Sequence, residues 1–165
     1  MVESRLRALV SFALAAHAMW FFGNLYEQLV FVPNAVQGSP PAHAAFNAFF
    51  DVTKPPAYYI PLTQLGVLVL SGLAIRAVPG TPGRVELRRA AVLSWCALGL
   101  TAFIVLGYNV RLWFEDVSDM AAPELHSLAW QWGGLNAVRL GIVGLATWFL
   151  WRVRLRLERI HHTLV

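Results

Sequence analysis

The sequence is poor in cysteine and poor in charge. One cysteine among 165 residues, Cys96, has no partner for an internal disulfide, which excludes a disulfide scaffold and a multi-cysteine redox centre. Its place inside an apolar run predicts a small packed side chain. Charged residues are 13% of the chain, against roughly a quarter in a soluble domain. A glycine-rich phosphate loop, a Ser-His-Asp constellation and a nucleotide fingerprint are all missing. The five histidines include no His-x3-His pair, and His17 has no histidine at matching depth to complete a haem ligand pair. His161 and His162 close the chain as a solvated helix end, too few for a histidine-rich metal tract. No metal site and no haem are therefore expected. Any reaction falls to carboxylate, amide, guanidinium and imidazole groups.

What the chain has is apolar length. Hydrophobic residues make up 58% of it, and four stretches reach the ~20 mostly apolar residues that cross a bilayer, at about 8–33, 57–78, 90–113 and 127–151. The expected fold is all-α: a single domain over 1–165, an integral membrane four-helix bundle. The opening "RLRALVSFALAAHA" has the shape of a signal peptide, but the apolar run continues through "MWFFGNLYEQLVFV", so it reads as an uncleaved first helix. Pro33 should end that helix, because proline cannot continue the hydrogen-bond ladder. In the loop that follows, Phe46, Phe49 and Phe50 recur at i, i+3 and i+4. This predicts a short amphipathic helix over 42–50 that lies on the membrane or caps the bundle. Tyr58 and Tyr59 begin the second span, at the depth where such rings concentrate. "RVRLRLERIHH" extends the fourth helix as an amphipathic tail.

The net charge of +4 is a topology signal rather than a nucleic-acid footprint. Ten of the thirteen basic residues lie before the first span, between the second and third, or after the fourth; the other two connections hold the acidic Asp51, Glu115, Asp116, Asp119 and Glu124. The positive-inside rule then puts both termini in the cytoplasm, in the plasma or inner membrane if the cell is bacterial. The expected partners are membrane lipids, with no nucleic acid. Gly133, Gly134, Gly141 and Gly144 permit close helix approach within the bundle or in a homo-oligomer.

Polar residues interrupt the spans on particular faces. At 100° per residue from His17, Phe21 falls at about 40°, Asn24 at about −20°, Gln28 at about 20° and Glu27 at about −80°, while Gly23 and Tyr26 fall elsewhere. On the fourth helix Trp132, Asn136, Arg139 and Val143 share one face. Arg139 is mid-span, where a charge costs about 2.5–3.5 kcal/mol, and Glu27 is the only acidic residue inside any span. From the 1.5 Å rise, Glu27 lies about 9 Å from the non-cytoplasmic end, Asn24 and Asn136 about 13 Å, and Arg139 about 18 Å. Gln64 and Asn109 fall in the same half. The pattern predicts a polar pocket in the outer leaflet, open to the outer face and roofed by the aromatic loop. Simpler roles stand beside it. Glu27 and Arg139 can serve as structural glue, Asn109 and Asn136 as interhelical hydrogen bonds, and His17 as a satisfied interior histidine.

"GNLYEQLVFVP" on helix one, "YNVRLW" ending helix three and "WGGLNAVR" on helix four resemble a four-helix membrane family that includes the anthrone oxygenases of polyketide pathways. The likeness covers the layout of most of the chain, through short motifs: Pro33, Asn109 and Val110, and Trp132, Asn136 and Arg139. The family's Pro-Leu-Asn after the Asn-Val pair is replaced here by Arg111, Leu112 and Trp113, and the histidine after its helix-four asparagine by Ala137. The resemblance implies a cofactor-independent monooxygenase, an oxidoreductase acting on an apolar aromatic small molecule. Glu27 would be the general base, or His17 if Arg139 ties up the carboxylate. Arg139, Asn109 and Asn136 would stabilise an enolate, with Trp132 and Phe21 packing on the rings and Asn24 and Gln64 completing the substrate site. The alternative is a non-catalytic subunit that holds a lipid or quinone for a membrane complex.

Overall fold

The computed structural model describes residues 2–37, 39–50, 52, 56–117 and 119–163, with the backbone path alone at 2–3, 56, 58 and 160–163. Asp51 and the side chains of Tyr58, His161 and His162 lie outside the described residues.

The first helix, α1 (Val2–Tyr26), runs on through a π-helical turn, π1 (Glu27–Phe31), into α2 (Val32–Gln37). A short α3 (Pro40–Phe49) precedes α4 (Pro56–Arg76). Next comes α5 (Arg84–Ile104), which continues into a second π-helical segment, π2 (Val105–Phe114). The last helix, α6 (Ala122–Thr163), is 42 residues long. Four of these helical runs are long and apolar enough to cross a membrane, and the chain is a multi-pass four-helix bundle with no strand among the described residues. The start of α1 and the end of α6 define the terminal end of the bundle; α3 marks the far end.

Pro33 does not stop the first helix, which continues to Gln37. The wide turn just before it is closed by the Val32 N–H on the Glu27 carbonyl, five residues back. A π-turn at this point makes room for a ring that would press on the carbonyl four residues earlier in an α-helix. The Asn34 side chain donates to the Val30 carbonyl at 2.7 Å, supplying a donor beside the one the proline lacks.

The short loop helix forms as expected and caps the far end. Ser39 is its N-cap, accepting from the Ala42 N–H, and Pro40 follows at the first position. Phe46 and Phe50 pack with Phe31 and Trp113. Phe49 points away, 82% exposed, and the inward face is completed instead by His43, fully buried with Nε2 on the Leu112 carbonyl at 2.8 Å. A longer-range contact thus decides which side of this helix is inside.

The basic tail of α6 is docked rather than free. Val153 and Leu157 are buried against Ala77 and Leu87 at the α4–α5 connection, and Arg156 pairs with Glu86 at 2.6 Å. Gly83, at φ 74°, lets the connection turn beneath α6, and a Cβ there would meet Val153 at 2.9 Å. Gly83→Ala should therefore cost about 1–2 kcal/mol for the left-handed backbone alone. Gly99, on an exposed helix face with open space around it, should gain up to about 1 kcal/mol as alanine. Thermal melts of the two variants in detergent should move in opposite directions.

Candidate functional site

All four spans contribute to one polar cluster. Arg139 of α6 donates through Nη2 to Glu27 Oε2 at 2.7 Å and to its own neighbour Asn136, and Nη1 reaches Thr101 Oγ1 of α5 at 3.5 Å. Tyr59 of α4 donates to Glu27 Oε1 at 2.5 Å. Asn136 in turn donates to Gln28 at 3.0 Å. The two charged side chains are almost wholly enclosed, at 5% and 7% exposure for Arg139 and Glu27. A buried pair of this kind depends on further hydrogen bonds to both groups; Tyr59 supplies one to the carboxylate and Asn136 and Thr101 accept from the guanidinium, while Arg139 Nε is buried without a partner.

The cluster forms one wall of a cavity of about 380 Å³, within the roughly 300–1,000 Å³ range of small-molecule sites. Glu27 and Arg139 close its deep side, Thr63 and Gln64 line the α4 side, and Thr101 and Asn109 line the α5–π2 side. The remaining wall is chiefly apolar, with Trp20, Ile60, Leu98 and Leu106. Leu106 and Gln64 are exposed on the bundle surface, so the opening faces sideways between α4 and α5. This corrects the expectation of a pocket open to the outer face. No α3 side chain is in the cavity wall; the aromatic cap covers α2, π2 and α6 instead.

Of the residues singled out from sequence, Glu27, Arg139, Gln64 and Asn109 line the cavity. Asn136 and Trp132 are buried just behind it, and each holds a lining residue. Asn136 accepts from Arg139, while Trp132 donates from Nε1 to Asn109 Oδ1 at 2.8 Å, which turns the Asn109 amide nitrogen to other partners. Asn24 is fully buried beside Tyr59, 3.5 Å from its hydroxyl. His17 lies outside the cavity wall, with both ring nitrogens occupied. Nδ1 lies 2.8 Å from the Ala13 carbonyl, to which it donates, and Nε2 lies 2.8 Å from the Ser94 hydroxyl, which itself reaches the Ala90 carbonyl at 2.7 Å. This is a satisfied interior histidine. Phe21 is turned to the opposite side of α1, against Gly144 of α6.

Tyr59 is the main residue that sequence reasoning misplaced. It is no interface anchor but is 2% exposed, with its ring laid on Gly23 and its hydroxyl on Glu27. A Cβ at position 23 would approach that ring to 2.6 Å. The signal was present: Gly23 precedes Glu27 by one helical turn, so a ring seated on the glycine brings its tip to the carboxylate.

No family model matches the chain, and no curated protein or solved structure is significantly similar to it. The class is set by fold and site: a polytopic four-helix membrane protein with an ion-paired polar cluster facing a lateral cavity.

Removing one partner of a buried pair strands the other charge. Arg139→Met should destabilise the detergent-solubilised protein by about 3–5 kcal/mol. Glu27→Gln combined with Arg139→Met should recover a large part of that loss, as read by melting temperature. Equal loss in the single and double variants would show that the two side chains are not energetically coupled.

Proposed function

We propose that the chain is a membrane-embedded, cofactor-independent oxygenase that converts an acidic methylene of an apolar aromatic ketone to a carbonyl. The observation carrying this reading is a carboxylate and a guanidinium in the wall of a mostly apolar cavity. Glu27 takes a proton from the methylene, using a lone pair not engaged by Tyr59 or Arg139. The electron pair left behind delocalises onto the ketone oxygen, which Arg139 and the Asn109 amide stabilise as donors fixed in advance. The carbanion adds O2 and regains the proton from Glu27 as a hydroperoxide. Loss of the second C–H proton with O–O cleavage then gives the new carbonyl and hydroxide, which leaves as water. One methylene and one O2 yield one carbonyl and one water.

A second reading, a holder of lipid or quinone without chemistry, is favoured by the sideways opening and by the ion pair that already occupies both carboxylate oxygens. In either case we assign both termini to the cytoplasm. The basic terminal end, with Arg5, Arg88, Arg89, Arg152 and Arg156 on it, supports this side under the positive-inside rule.

Incubating the purified protein with an anthrone in air should produce the anthraquinone with equal O2 uptake, above the uncatalysed rate. Glu27→Gln should lower kcat by about 10²–10⁴-fold. A wild-type protein that leaves the anthrone at its background rate overturns the oxygenase reading, and copurified quinone or lipid in that case favours the holder. A C-terminal tag should resist protease added outside intact cells; cleavage there would reverse the orientation.

A further inference from the structure

A second hollow lies on the other side of α1, away from the ion pair. It occupies about 440 Å³ between α1 and α6, walled by Leu14, Phe21 and Phe22 on one side and Gly144, Trp148 and Trp151 on the other. Gly144 is what opens it, because a Cβ there would press on the Phe21 ring at 3.0 Å. The walls are almost wholly apolar, and nothing in the proposed oxygenase chemistry uses them.

Helix phase carries the two faces toward the terminal end. On α1 the core side is Val10, Ala13, His17 and Trp20, all buried, so Leu14 and Ala18 share the groove side with Ser11 and Arg7. On α6 the core side is Val143, Ala146, Leu150, Val153 and Leu157, and the groove side of Thr147 and Trp151 continues to Arg154. The contacts Val32–Gly133, Glu27–Arg139 and Phe21–Gly144 set the antiparallel register. Carried on in that register, Arg154 comes level with Ser11, and Arg7 with Glu158.

The arginines at this end have unmet donors. Arg7 Nε and Arg154 Nη1 are screened from solvent without a hydrogen-bond partner. Arg154 spends Nη2 on Glu158 at 2.9 Å, and Arg152 lies over the Trp148 ring at 5.0 Å. Among the described side chains, Arg7, Arg152 and Arg154 stand against the one carboxylate of Glu158, which leaves this end positive. From Leu14 to Phe22 the groove runs about 12 Å, most of the half of the ~30 Å hydrocarbon core that one leaflet supplies.

We propose that this groove is a binding site for one anionic glycerophospholipid of the leaflet at the terminal end. An acyl chain lies along Phe21, Gly144 and Trp151, and the phosphate is held by Arg7 and Arg154. The chain-length match selects a lipid tail over a compact ligand. The excess of guanidinium groups at this end selects an anionic head over a zwitterionic one, whose own cation would face Arg152 and Arg154. The site is independent of the oxygenase reading and stands or falls apart from it.

Native mass spectrometry of the full chain in detergent, titrated separately with phosphatidylglycerol and phosphatidylcholine of identical chains, tests the assignment. Phosphatidylglycerol should form one adduct about five-fold or more tighter than phosphatidylcholine. Arg7→Gln combined with Arg154→Gln should abolish that preference while leaving phosphatidylcholine binding unchanged. Arg88→Gln, an exposed arginine on the α4–α5 side of the bundle, should keep it. Equal affinity for the two lipids, a preference that survives the double variant, or an equal loss in Arg88→Gln would each overturn the proposal. So would a dimer that excludes both lipids.

Discussion

A charge inside hydrocarbon must be answered from within the protein, and the pair Glu27–Arg139 is the point where this bundle does so. Arg139 alone would cost a few kcal/mol to hold at mid-span. Glu27 meets that charge, but only if α1 and α6 are locked in one register, and only if Tyr59 and Thr101 bring α4 and α5 to the same level. The four helices are thereby tied through polar contacts that water cannot replace. In a bilayer, apolar surface gives no comparable preference for one helix register over another.

The remaining geometry follows from letting these groups meet. Gly23 lies under the Tyr59 ring, Gly133 under Val32 and Gly66 against Ala16, so small residues admit close contacts of α1 and α2 with their neighbours. The two π-helical segments fall in the same half of the bundle. One begins at Glu27 and the other contains Asn109, in keeping with the tendency of such turns to occur where side chains must be re-aimed. α4 and α5 pack together toward the terminal end, where Leu70 and Ala74 share a core with Leu87 and Ala90 and Trp95 donates to Ser71 at 3.0 Å, and a gap is left between them at the level of Tyr59 and Thr101. That gap is the lateral cavity.

The two hollows of the molecule have different physical characters. The one between α4 and α5 has a mostly apolar wall into which an ion pair and the side chains of Thr63, Gln64, Thr101 and Asn109 are set. The one between α1 and α6 is apolar with charge at the membrane-surface end, a setting suited to an amphiphile that stays in the leaflet. They are separated by α1 itself, whose His17 and Trp20 fill the interior between them. The docked tail of α6 holds the arginines of the second hollow in place through Val153 on Gly83 and Arg156 on Glu86.

The architecture was legible in the sequence because membrane solvation acts residue by residue: four apolar runs must be four spans, and Glu27 and Arg139 must face inward. The pairing of these two could be argued from number alone, since one acidic residue stood inside the spans to answer the arginine. Helix phase misjudged Gly23 and Phe21, because a wheel ranks faces without saying which neighbour each will meet. It also set Pro33 as an end, since the ladder rule assumes an α-turn where the chain makes a π-turn. The destination of Tyr59, the satisfied state of His17 and the side on which the cavity opens were decided only when the helices packed. Each depends on distances between residues far apart in the chain, and no local periodicity encodes those distances.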